Sequence, residues 1–228
     1  MFARIILTAV FAGLIAGVFA WGAHMVKTTP LILAAEVYEN AAPAAPAAAQ
    51  AHATAVPETP AWEPADGLER NLYTLLADVV TGIGFAFMLA GAMALSGRAV
   101  DARLGMAWGL AGFAALFAAP SLGLAPELPG MQAAGLGARQ AWWLLTAAAT
   151  AAGIAAIAFA PRPAVKALGV ALLALPHVVG APHPVLTSGP LPAELAAQFA
   201  AATLVITGLF WLVLGGLTGY FYRRFERP

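Results

Sequence analysis

Two histidines and an aspartate stand where lipid is expected. His177 and His183 lie in Pro176-His177-Val178-Val179-Gly180-Ala181-Pro182-His183-Pro184, and Asp78 interrupts the apolar run from Asn71 to Ser96. Neutral imidazole suits borderline divalent cations such as Co²⁺, Ni²⁺ and Zn²⁺, with carboxylates and backbone carbonyls filling the remaining positions. An ionised carboxylate at mid-helix costs roughly 2.5–3.5 kcal/mol on insertion scales, so it faces a partner, a wet cavity or a transport path. Asn71, Thr74, Asp78 and Thr81 recur at intervals of three, four and three, which makes one polar stripe on a helix. The plainer reading of that stripe is hydrogen bonding, with each Thr returning to its own i−4 carbonyl.

Pro176 removes a backbone donor and crowds the preceding turn, which predicts a kink or unwinding there with freed carbonyl oxygens. Irregular backbone at membrane depth survives only where protein buries it or water reaches it, and broken helices recur in transporters. Counted from Ala167, His177 lies about 15 Å along a helix and His183 about 9 Å further out. The pair would line a vertical route, with Asp78 at nearly the depth of His177. The alternative is one interhelical hydrogen bond for His177 and a surface turn for His183. Two histidines six apart match no recognised metal spacing.

Carboxylates outside the apolar runs add candidate ligands. Glu63, Asp66 and Glu69 crowd the segment before Arg70, although Asp66 also suits a helix N-cap with Glu69 at N3 of a capping box. Glu127 sits with Met131 in a Pro-Glu-Leu-Pro-Gly-Met turn, and Glu194 precedes the last apolar run. His52, among alanines and prolines, reads as a solvated linker residue.

The elements that must position these groups are membrane helices. The chain has 228 residues, 61% hydrophobic and 10% charged, with a mean hydropathy of +0.82, whereas soluble domains are about a quarter charged. Eleven basic and eleven acidic residues balance to zero, which gives nucleic acid no cationic surface. The absence of cysteine excludes disulfides, thiolate metal sites and iron–sulfur clusters. No Walker loop, nucleophile elbow, zincin helix or dinucleotide fingerprint occurs, so an enzyme is not expected.

About 20 apolar residues cross a bilayer. The runs predict a single all-α integral membrane domain over residues 1–228, with six spans: Phe2 to Val26, Asn71 to Ser96, Leu104 to Ala125, Gln140 to Ala160, the short Ala167 to Pro182, and Ala196 to Tyr222. Five is the count if the short run is re-entrant. The first run is longer than a signal-peptide core and is read as a retained anchor. Residues 41–61 read as a disordered Ala/Pro-rich external loop. Arg4, Arg98, Arg103, Arg162, Lys166, Arg223, Arg224 and Arg227 fall on one side, which the positive-inside rule makes cytoplasmic together with both termini. Most acidic residues fall on the other side, where they would concentrate cations. Gly13/Gly17, Gly105/Gly109 and Gly215/Gly219 are small-residue packing seams. Arg139, Trp143, Thr146 and Thr150 share a face of the fourth span, read as interhelical contacts.

Four stretches resemble one family, the proposed cobalt transporter subunit CbtA. They are Pro30 to Glu39 (PLILAAEVYE), Trp62 to Ala77 (WEPADGLERNLYTLLA), Ala125 to Thr146 (APELPGMQAAGLGARQAWWLLT) and Leu173 to Pro184 (LALPHVVGAPHP). The resemblance implies a multi-pass inner-membrane protein linked to cobalt supply for cobalamin synthesis. It also implies a small one-span, histidine-rich CbtB-like partner, and it is often described with five spans. No resident cofactor is expected; Co²⁺ is the expected cargo, and assembly into a homo-oligomer is an option. The working expectation is inward passage of a divalent cation past His183, His177 and Asp78. The alternatives are a non-transporting accessory subunit, or a redox protein with His177 as an axial ligand.

Overall fold

A computed structural model describes residues 1–41, 62, 64–184 and 191–226 of the chain. Glu63, His52 and most of the predicted external loop lie outside the described residues. All regular structure among the described residues is helical: α1 (Phe2–Ala23), α2 (Thr29–Ala41), α3 (Leu68–Ser96), α4 (Ala102–Phe113), α5 (Ala119–Ser121), α6 (Leu136–Phe159), α7 (Pro163–Val179) and α8 (Ala193–Arg224). Two short π-helical segments, His24–Thr28 and Ala114–Ala118, join α1 to α2 and α4 to α5.

Each π segment ends two residues before a proline, Pro30 and Pro120. A proline ring inside an α-helix collides with the carbonyl four residues back, and one widened turn relieves the collision without ending the helix. The first helix therefore continues well past the predicted end at Val26 and runs as one rod from Phe2 to Ala41, while the third span ends at Ser121 rather than Ala125. Pro176 causes no break either. α7 continues to Val179, where the Gly180 N–H donates to the Pro176 carbonyl at 3.0 Å and Gly180 leaves the helix at φ +86°. The proline lies in the last turn and is buried, so its missing N–H removes a single helical bond.

Three antiparallel pairs build the bundle: α1 with α3, α4 with α8, and α6 with α7. In lipid there is no hydrophobic drive between helices, so close backbone approach through small residues must supply the contact. A methyl placed on Gly17 would lie 2.5 Å from Val79 Cα, and methyls on Gly105, Gly109, Gly215 and Gly219 would strike backbone of the facing helix. Gly153 and Gly169 meet in the same way: a methyl placed on either would lie 2.7 Å from the other's carbonyl oxygen. α1 also packs on α8, so α1, α3, α4 and α8 share one core around Ala12, Ala16, Ala86, Met93, Trp211 and Leu214. The α6–α7 hairpin attaches to it mainly through α5 and the second π segment.

Both termini lie at one end of the bundle. Arg4 donates to the Tyr222 carbonyl at 2.6 Å, pairs with Glu226 at 3.1 Å and stacks over the Tyr222 ring. The turn after α3 joins them there, with Arg98 over the ring of Phe159 and Asp101 against Gly219. Asp101 caps α4 by accepting the Leu104 N–H at 2.8 Å, which holds its carboxyl below the usual carboxylate range. At the opposite end Gly130 touches Leu191 and Glu39, and Ala35, Leu128 and Phe199 form a small second core. A chain whose termini share an end traverses the bundle an even number of times. Five helices are long and apolar enough to cross a membrane, and the 17-residue α7 supplies the sixth traverse over about 25 Å.

Gly109→Val tests the α4–α8 seam. Overpacking a backbone contact costs about 1–3 kcal/mol or more, so thermal unfolding in detergent should shift down by several degrees. Gly84→Ala, which meets nothing within 4 Å, should leave it unchanged.

Candidate intramembrane site

Helical side chains lean toward their own N-terminus. On the antiparallel pair α1–α3 this makes a residue late in α1 and one early in α3 reach toward each other. His24, the first residue of the first π segment, and Asp78, ten residues into α3, do so: His24 Nδ1 lies 3.1 Å from Asp78 Oδ2. Their side chains are 29% and 17% exposed, so the pair is largely withdrawn from the surface of the bundle. Gly13 against Ile83 and Gly17 against Val79 set the register that allows it. Trp21 Nε1, donating to the Asn71 carbonyl at 3.2 Å, pins the outer end of the seam.

Asp78 also borders a cavity of about 190 Å³ between α1, α3, the second π segment and α8, where Thr81, Thr207, Phe85, Phe210 and Trp211 share the wall. Both π segments therefore serve one place: the first carries His24, and the second contributes Leu116 and Phe117 to the cavity. The expected polar stripe divides in two. Thr74 donates to the Arg70 carbonyl at 2.9 Å and is a helix contact, whereas Asp78 and Thr81 face the cavity.

Outside the span lies a cleft of about 800 Å³ walled by Glu36, Glu39, Asp66, Glu69 and Arg70. Arg70 clamps Glu36 with both terminal nitrogens and reaches Asp66 at 3.3 Å, which leaves four carboxylates facing one guanidinium. The predicted N-cap is corrected here. Gly67 begins α3 at φ +87°, Asp66 turns to Arg70, and Glu69 accepts the Ala65 N–H at 3.3 Å. Glu127 pairs with Arg139 at 2.6 Å, and Glu194 is exposed in the first turn of α8.

The expected meeting of His177 with Asp78 does not occur, because α7 packs on α6 and not on α3. His177 is exposed, with its ring edge-on to Trp142 at 6.1 Å, and His183 is exposed beyond the end of α7. Among the described residues no three His, Asp or Glu side chains converge as a metal-binding group. His24 was not among the sequence candidates; the signal for it was the Gly13/Gly17 seam, which brings the end of α1 beside Asp78 once α3 is known to be its partner. A double-mutant cycle on His24→Ala and Asp78→Ala, followed by thermal unfolding, should give a coupling of about 0.5–3 kcal/mol. Additive losses would mean the contact is not made.

Comparison with known proteins is consistent with this architecture. The profile of a family described as probable cobalt transporter subunit (CbtA) matches residues 2–223. No curated protein matches the chain, and no solved structure does. With nearly the whole chain matched, and with helices long and apolar enough for a multi-pass membrane protein, the chain belongs to the CbtA family, described as probable cobalt transporter subunits.

Proposed function

We propose that this chain carries a divalent transition-metal cation, Co²⁺, inward across the inner membrane to supply cobalamin synthesis. The observation that carries the reading is the His24–Asp78 contact inside the bundle beside a cavity lined by Thr81 and Thr207. Carboxylate and imidazole are suitable donors for such an ion, and ionisable pairs at membrane depth characteristically mark ion paths. One oxygen of Asp78 is engaged by His24, so an arriving dication competes with the histidine for the carboxylate and binds only in passing.

The basic end, with Arg4, Arg98, Arg103, Arg162, Lys166, Arg223 and Arg224, is then cytoplasmic. The cleft of Glu36, Glu39, Asp66 and Glu69 opens outward and raises the local cation concentration. Glu127 and Glu194 add to the acidic outer end, and exposed His177 and His183 take part in first capture, alone or with the one-span, histidine-rich CbtB-like partner. A potential of 100 mV, inside negative, supplies roughly 2.3 kcal/mol per charge, about 4.6 kcal/mol for a dication, so the inward step needs no ATP.

Uptake of radioactive cobalt in cells lacking other importers, with the one-span partner present, tests this. Asp78→Asn and His24→Ala at matched membrane levels should each lower uptake about tenfold or more, and Glu69→Gln should lower it only at limiting cobalt. Wild-type uptake in both intramembrane variants would remove the path. No uptake even by the wild type would favour the accessory-subunit reading.

A further inference from the structure

A buried polar side chain in a native bundle has a partner, or it lies beside something the bundle holds. Thr28, Thr74 and Thr218 have partners: each hydroxyl donates to the carbonyl four residues earlier, at 3.4, 2.9 and 2.7 Å. Thr8 on α1 and Thr203 on α8 are single exceptions, and on α6 the exceptions form a series. Thr146 is fully buried and Thr150 is 3% exposed, yet neither hydroxyl has a hydrogen-bond partner among the described residues. The same holds for Trp142 Nε1 and Arg139 Nε. The sequence reading of this face as interhelical hydrogen bonding is therefore not met, and it is Trp142 rather than Trp143 that turns inward.

The four groups follow one another at intervals of three, four and four residues, so they form one face of α6. They cover about 16 Å along its axis. Trp142 meets Gly123 just beyond α5 and His177 on α7, and Gly153 meets Gly169, so this face looks into the seam between α7 and the α5 end of α4. The same two contacts set the antiparallel register, which puts Pro176 and Leu172 near the level of Thr146 and Thr150. Pro176 has no N–H, so the Leu172 carbonyl lacks its helical donor.

The occupant must suit this set. Arg Nε and indole N–H only donate, a carbonyl only accepts, and a hydroxyl does both. Two donor-only groups repel a bare cation, and a neutral species that accepts and donates in turn satisfies all of them. We infer that a file of ordered water molecules occupies the α6–α7 seam, from the Arg139–Glu127 pair at the outer end to Thr150 beyond the middle of α6. The file lies apart from the Asp78 cavity and does not depend on which ion is carried. It hydrates the outer half of the hairpin down to the dry Gly153–Gly169 crossing.

The chain has no cysteine, so a single introduced thiol reports alone. Thr146→Cys and Thr150→Cys, in lipid nanodiscs, are treated with hydrogen peroxide, a neutral molecule little larger than water that oxidises a thiol to a sulfenic acid, and the surviving thiols are counted with a maleimide after unfolding. Both should be blocked roughly tenfold or more faster than the thiol of Leu145→Cys, whose position is 69% exposed on the lipid side. Blocking as slow as that control at both sites would overturn the inference. Hydroxyl-radical footprinting of the unaltered chain decides the matter without any variant. Radicals generated in bound water should oxidise Trp142 while fully buried Met93 stays unmodified; a Trp142 as inert as Met93 would equally overturn it.

Discussion

Everything in this bundle depends on backbones being able to touch. Lipid tails are as apolar as leucine, so burial of apolar surface cannot choose which helices pair. Contact is decided where a side chain is missing: Gly13 and Gly17 under Ile83 and Val79, Gly105 and Gly109 under Gly215 and Gly219, and Gly153 under Gly169. Each crossing fixes a register as well as a neighbour. Because α1 meets α3 at those two glycines, the side chains of His24 and Asp78 arrive at the same level, and the polar junction follows from the packing.

Irregular backbone is confined to places the bundle can support. Pro30 and Pro120 sit in long helices where a break would expose carbonyls to lipid, and a widened turn ahead of each keeps the helix continuous. Pro176 sits at a helix end, where one lost bond can be tolerated. The wide turn before Pro120 borders the interior cavity, and the wide turn before Pro30 carries the histidine that reaches Asp78 on the cavity wall, so the distortion imposed by prolines and the room for a polar site lie close together.

Much of this was legible in the sequence, and the gaps have physical causes. Runs of apolar residues mark the helices, and the uneven placement of Arg and Lys separates the two ends, because both signals are local. Asp78 stood out since a carboxylate in an apolar run has few innocent explanations. Its partner did not, because the seam of Gly13 and Gly17 reveals that α1 packs closely without saying against what. The first span was ended too early, at Val26, because the apolar run stops at Lys27 while the helix does not, and the kink expected at Pro176 was misread because a proline's effect depends on where in the helix it falls. At the start of α3 the carboxylate of Asp66 was drawn away from capping by Arg70, a competition between a local and a tertiary partner that spacing alone does not decide.

The central claim is that Asp78, held by His24 within the membrane, is the contact the carried ion makes on its way through. Solid-state NMR on the chain in bilayers, with nitrogen-labelled histidine and carbon-labelled aspartate, measures that contact directly. The account predicts a His24 Nδ1–Asp78 carboxyl correlation in the metal-free protein, assigned by its loss in Asp78→Asn, that disappears when Co²⁺ is added. A pair that never gives the correlation, or one that persists unchanged at saturating Co²⁺, would contradict it.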